Sequence, residues 1–278
     1  MNKGKKLLYV FYRSKISFAL LSLLLSLLLV IGSTYAWYTD SDERINRVAG
    51  AEDKLAAEIV EDFNQVYAWA PGTTREKKVR VKNVGKVPTI VRISLKEHFL
   101  DFETDKTDNH GDGNGNGDLT VYGIPSTTAV DVENTATWKK GNTYSAGTNI
   151  HYKADHALLN QDYPYKGTRT APLPAFQLNF KSGSVFDPQA LPAASDKNYW
   201  YYEDGYFYYS EILQPNQSTT DLLESVTLAP EYANQYKGAL YKLVPQMDAH
   251  DISKVLIHDW SIGSTSHVYA MYQDKLVK

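Results

Sequence analysis

The stretch KKVRVKNVGKVPTIVRISLKEHF, residues 77–99, constrains the fold more than any other part of the chain. Val79 and Val81 alternate with Arg80 and Lys82, and Val91, Ile93 and Leu95 alternate with Arg92, Ser94 and Lys96. Successive side chains of a strand point to opposite faces, so a period of two gives each segment one face for a core and one for water. Gly85 and Pro88 punctuate the interval between them, and the pattern predicts a two-stranded antiparallel unit introduced by Ala70-Pro71-Gly72.

Further strand signals lie downstream. NYWYYEDGYFYYSEIL, residues 198–213, places Asp204-Gly205 between two aromatic runs, the favoured composition of a type I′ hairpin turn. AFQLNF sets Phe176, Leu178 and Phe180 on one side of a short strand. LQPNQSTTDLLESVTL at 213–228 echoes WAPGTTREKKVRVKNV at 69–84, which predicts two corresponding corners of one sandwich. GALYKLVPQ, SKVLIHDWSI and HVYAMYQ are expected to supply the last strands. AEDKLAAEIVEDF at 51–63 is ambiguous, since Ile59 and Phe63 among acids equally suit a strand, but Ala56, Ile59, Val60 and Phe63 have helical spacing and the composition favours a helix, so the residues alone predict a helix. Residues 103–195 read as a loop-rich insertion opening on the polar, glycine-rich run at 103–118. The expected fold class is all-β, a jelly-roll or Ig-like β-sandwich spanning 51–278.

The front of the chain differs in kind. Lys3, Lys5, Lys6, Arg13 and Lys15 precede an uncharged run from Ile16 to Ile31, followed by Gly32, Ser33, Thr34, Tyr35 and Ala36. A basic head, an apolar centre and a small-residue exit make a signal-peptide helix over 1–36, with cleavage between Ala36 and Trp37. An uncleaved helix is the alternative, since Ile16 to Tyr38 is long enough to span a bilayer; in both cases the remainder faces outward. All 32 acids and 24 of the 29 basic residues lie beyond residue 36. This acidic balance argues against a nucleic-acid partner. The chain has no cysteine, so an exported domain of this length relies on its core rather than on disulfides or thiolate metal sites.

AWYTDSDERINRVAG, EIVEDF, WAPGTTREKKVRVKNVGKVPTIVRISLKEHF and YFYYSEILQPNQSTTDLLESV together resemble the Gram-positive biofilm-matrix proteins exported through the SipW-type signal peptidase, the TasA, camelysin and BsaA-like group. The resemblance covers about residues 16–101 and 199–250. It implies an extracellular jelly-roll subunit that polymerises into surface fibres, with self and other matrix proteins as partners, and it implies a strand rather than a helix at EIVEDF. It also implies that the freed segment 37–50, carrying Trp37, Tyr38, Ile45 and Val48, adds a strand to a neighbouring copy. NRVAG lacks the aromatic often found after the Asn, and PNQS replaces the usual Pro-Gly corner.

Three other constellations merit weighing. Asp112, Asn114, Asn116 and Asp118 fit the first half of a calcium loop, whose alternate side chains supply hard oxygen ligands, but the twelfth position is Gly123 where a bidentate Glu is needed. The polar loop without calcium is the plainer reading. A camelysin-like metalloprotease needs three zinc ligands and an open position. The histidines (98, 110, 151, 156, 250, 258 and 267) include no H-E-x-x-H, and only His151 and His156 are close in sequence, so no enzyme and no catalytic residue is expected. The aromatic hairpin offers Trp200, Tyr202, Tyr206 and Tyr208 as a surface for polysaccharide or host protein, the basis of an alternative reading as a monomeric binding module. Protein recovered from culture medium is expected to begin at Trp37 by N-terminal sequencing; material beginning at Met1 would show an uncleaved anchor.

Overall fold

A computed structural model describes residues 46–49, 55–63, 72–104, 118–126, 128–232, 236 and 238–277. Among these residues the chain forms two β-sheets. The strands are β1 (Asn46–Ala49), β2 (Ala57–Phe63), β3 (Thr74–Asn83), β4 (Thr89–Phe102), β5 (Thr143–Gly147), β6 (Ile150–Asp162), β7 (Phe176–Phe180), β8 (Val185–Phe186), β9 (Trp200–Glu203), β10 (Tyr206–Tyr209), β11 (Leu223–Leu228) and β12 (Leu240–Asp251). Two short helices, α1 (Val255–Asp259) and α2 (His267–Tyr272), follow. One sheet runs β1-β12-β4-β10-β9-β8, with β6 also on β4 and β5 on β6; the other runs β2-β3-β11-β7. None of the described helices is long and apolar enough to cross a membrane.

The core lies between the sheets. Val79 and Val81 of β3, Ile59 of β2 and Val226 of β11 meet Val91, Ile93 and Leu95 of β4 and Leu243, Met247 and Ala249 of β12, all buried. The alternation therefore predicts the faces of these strands but not their partners. β3 and β4 do not pair: β3 bonds to β2 and β11, and β4 to β12, β10 and β6. Gly85–Pro88 carries the chain from one sheet to the other. Two strands facing each other across a core show the same period as two strands hydrogen-bonded side by side, so periodicity alone does not separate the cases. Buried Asn83 fixes this corner. Its amide donates to the carbonyls of Val87 (2.8 Å) and Leu213 (2.9 Å), and its side-chain oxygen accepts from the Gly85 N–H (2.8 Å).

EIVEDF is a strand, as the family resemblance implied and helical spacing did not. β2 turns Ala57 and Ile59 into the core while pairing along β3. The Asp204-Gly205 hairpin forms as expected, both turn residues having positive φ (49° and 85°). Phe176 of β7 is buried, with Leu178 and Phe180 packed on the same core. The two echoed segments pair antiparallel as β3 and β11, which puts their corners at opposite ends of one ladder. Residues 103–195, expected as an insertion, contribute β6 to one sheet and β7 to the other. SKVLIHDWSI and HVYAMYQ hold helices instead of the expected last strands. Leu256 and Trp260, then Val268, Tyr272 and Leu276, recur every four residues and all are buried, the helical spacing that their aromatic and β-branched content masks.

One charged group sits inside the core. Glu97 of β4 is fully buried and forms a two-pronged pair with Arg169, whose Nε donates at 3.0 Å and whose remaining arm donates to the Phe176 carbonyl at 2.8 Å. The Tyr241 hydroxyl of β12 donates to the same carboxylate at 2.6 Å. Burial raises the Glu97 pKa, and the Arg169 and Tyr241 bonds oppose that rise. Removing one member of such a pair strands the other charge in low dielectric. Arg169→Met is expected to lower unfolding free energy by about 3–5 kcal/mol in urea titration, and Glu97→Gln in the same chain to recover much of the loss.

Candidate functional site

The N-terminal segment meets the sheet at the β12 edge. Four residues of β1 pair with it in parallel: Asn46 with Met247, Arg47 with Asp248, Val48 with Ala249 and Ala49 with His250. β12 is twelve residues long, so on that side its Leu240–Gln246 portion has no strand beside it among the described residues. Pro245 interrupts neither β12 nor its register with Leu95 of β4, as a proline permits where its missing N–H faces away from the partner strand. β2, the outer strand of the second sheet, approaches β12. Unpaired N–H and C=O groups along such an edge are a template for another extended segment.

Side chains at the end of β12 tie this edge to the helices. His250, 3 % exposed, places Nε2 3.1 Å from the Asp259 carboxylate of α1 and Nδ1 2.9 Å from the Asp251 carbonyl. Hydrogen bonds from His250, then His258, hold the Asp259 carboxyl below the usual range. Burial pushes Asp251 up, but its bonds to Ser253 and the nearby His250 bring it below the ordinary value. On the same face Arg92 donates to Asp248 (2.9 Å), and its guanidinium lies between the rings of Tyr206 (3.8 Å) and Trp260 (4.6 Å).

The hairpin does not offer the expected aromatic surface. Trp200 and Tyr202 turn into the inter-sheet core with Phe207 and Tyr209. Tyr206 and Tyr208 lie on the opposite face with Tyr199 and Tyr201, beneath α1 and α2. The proposed set is thus split between two faces, and Trp200 and Tyr208 are only 0 % and 5 % exposed. Aromatics on both faces of a hairpin require a second layer on each side, and the C-terminal helices supply the outer one.

Ala36, Trp37, Tyr38 and Ile45 lie outside the described residues, and of the donor set only Val48 is placed, by its backbone in β1. Asp112, Asn114 and Asn116 likewise lie outside, whereas Asp118 is exposed. No group of three His, Asp or Glu side chains able to hold a metal ion occurs among the described residues. His151 is buried with Nδ1 2.8 Å from the Ser145 hydroxyl, whereas His156 is exposed against the Phe99 ring. The two sit in different surroundings.

Sequence reasoning passed over Asp101, although an acid between Leu100 and Phe102 was a visible anomaly. Its carboxylate accepts the His156 backbone N–H at 2.8 Å, and burial raises its pKa to about 6. A carboxyl raised in the folded state gives stability that is present below its unfolded pKa and lost as pH rises through its folded one. Asp101→Asn keeps the acceptor without the charge. Relative to the parent, this variant is expected to gain on the order of 1–2 kcal/mol between pH 4 and 7, after discounting for solvent screening, measured as the pH dependence of urea unfolding.

Residues 12–144 match the family model described as Camelysin metallo-endopeptidase. That span runs from residue 12 through β4 to the beginning of β5, while β6 to β12 and both helices lie beyond it. No curated protein and no solved structure matches the chain.

Proposed function

We propose that the chain is an exported, non-catalytic subunit that assembles into matrix or surface fibres, each copy laying its N-terminal segment along the β12 edge of the next. The observation that carries this reading is the parallel β1–β12 pair: a four-residue terminal strand on a twelve-residue edge strand. A short terminal strand gains few main-chain bonds and exchanges readily between identical copies, the low-cost route to domain swapping. An unequal edge leaves room for the residues before Asn46 to extend along Leu240–Gln246. The match at the N-terminal half supports a surface or matrix role, and the family's printed activity has no metal-binding cluster behind it among the described residues. Removal of the leader by a SipW-type signal peptidase frees the donor, and outward export places the fibres outside the cell. Other matrix proteins are further partners on this reading.

A cysteine-free chain makes the test direct. Val48→Cys combined with Ala249→Cys, paired in register, is oxidised after assembly and run on a non-reducing gel. A ladder of covalent oligomers collapsing to one band on reduction is expected. Filaments whose disulfides are all internal to single chains, or filaments that persist after deletion of residues 37–50, would refute strand donation.

A further inference from the structure

We infer that residues 252–277 are an acid-released cover over the outer aromatic face of the β9–β10 hairpin, with His267 the group that senses the acid. This inference does not depend on fibre assembly. The cover is a small core of its own: Leu256, Trp260, Ile262, Val268, Tyr272 and Leu276 pack on Ile90, Tyr199, Tyr201 and Tyr208, all buried. Polar bonds pin it at several points. The Tyr272 hydroxyl donates to the Tyr209 carbonyl and Lys275 to the Ser210 carbonyl, both at 2.6 Å, and α1 is held through Asp259 and His250 at 3.1 Å.

His267 is the exception among these contacts. It opens α2, whose first turn is capped by the Ser266 hydroxyl accepting from the Tyr269 N–H at 3.1 Å. The His267 ring lies on the Tyr201 ring at 4.3 Å and 34°. Its Nε2 is out of water and has no hydrogen-bond partner. A neutral imidazole tolerates that position, but a protonated one carries N–H on both nitrogens and would there bury a charged donor with nothing to accept from it. Burial accordingly lowers the His267 pKa, and the Glu203 carboxylate of β9 opposes this. Tyr201 and Glu203 are the titratable groups facing it from β9, and Asp187, beyond β8, faces Tyr201. Asp251 and Asp259, held low, stay ionised through mild acid; His250 and His258 act at the α1 end.

The sign follows from linkage. The covered state binds fewer protons than the uncovered one, so its stability is complete above the ordinary histidine pKa and falls as pH drops through it. What acid releases is the aromatic face that carries Tyr199, Tyr201 and Tyr208.

Hydrogen exchange of the exported chain at pH 7.5 and 5.5, corrected for intrinsic exchange, tests this locally. Protection across residues 267–277 is expected to fall at the lower pH, by up to about tenfold, while a β12 peptide spanning 240–249 stays protected. His267→Phe keeps a stacking ring that takes no proton, and it is expected to change less than about twofold. Equal wild-type protection at both pH values, the same loss in His267→Phe, or parallel loss in the β12 peptide would overturn the inference. If His267→Phe leaves the cover open at both pH values, His267→Gln decides: a pH-independent cover supports the sensor role and an acid-sensitive one refutes it.

Discussion

The antiparallel ladder between β4 and β12 is the contact on which the rest of the structure hangs. It runs unbroken from Leu100 paired with Leu240 to Thr89 paired with Asp251. β4 carries β10 and β6 on its other side, and β12 carries β1. The buried Glu97 belongs to one strand of the ladder and its Tyr241 partner to the other. Main-chain bonds of this kind are obligatory once the strands leave water. A long ladder satisfies them whatever occupies the flanks.

Both ends of the ladder are covered on two faces, and its middle on one. Along β4 the alternation of buried and partly exposed residues holds from Val91 to Phe99, whereas Ile90 at one end and Leu100 and Phe102 at the other are buried on the outer face. α1 and α2 cover the first end. Val130 and Trp138, from the region before β5, cover the second. The outer face between them carries Ser94 and Lys96, and here the sheet meets water as an antiparallel sheet can. The edges differ: β8 is two residues long and too short to template pairing, whereas on the β12 edge only Met247–His250 have a strand beside them among the described residues.

Legibility followed the range of the physics. Turn chemistry is local, so Asp204-Gly205 identified its hairpin directly. Facing is local too, and Val79, Val81, Val91, Ile93 and Leu95 all went where their alternation put them. Pairing is not local. β3 and β4 show the pattern of neighbours and belong to opposite sheets, because burial of one face is indifferent to which strand lies alongside. EIVEDF reads as a helix by composition, yet tertiary context overrode a weak propensity by offering β3 as a partner. Of the candidate site, the family resemblance singled out the N-terminal segment, but nothing in GALYKLVPQ marked its strand as the one that β1 pairs with.

By itself the sequence determined a cysteine-free, all-β chain with an aromatic hairpin, because turn residues and two-residue periods are written in adjacent side chains. Only the tertiary structure decided that the tyrosines are covered on both faces, that Glu97 meets Arg169 and Tyr241 in the core, and that β1 lies on β12. Each of these joins residues far apart in the chain, whose approach is set by the summed burial and main-chain bonding of whole strands and leaves no mark in any local window.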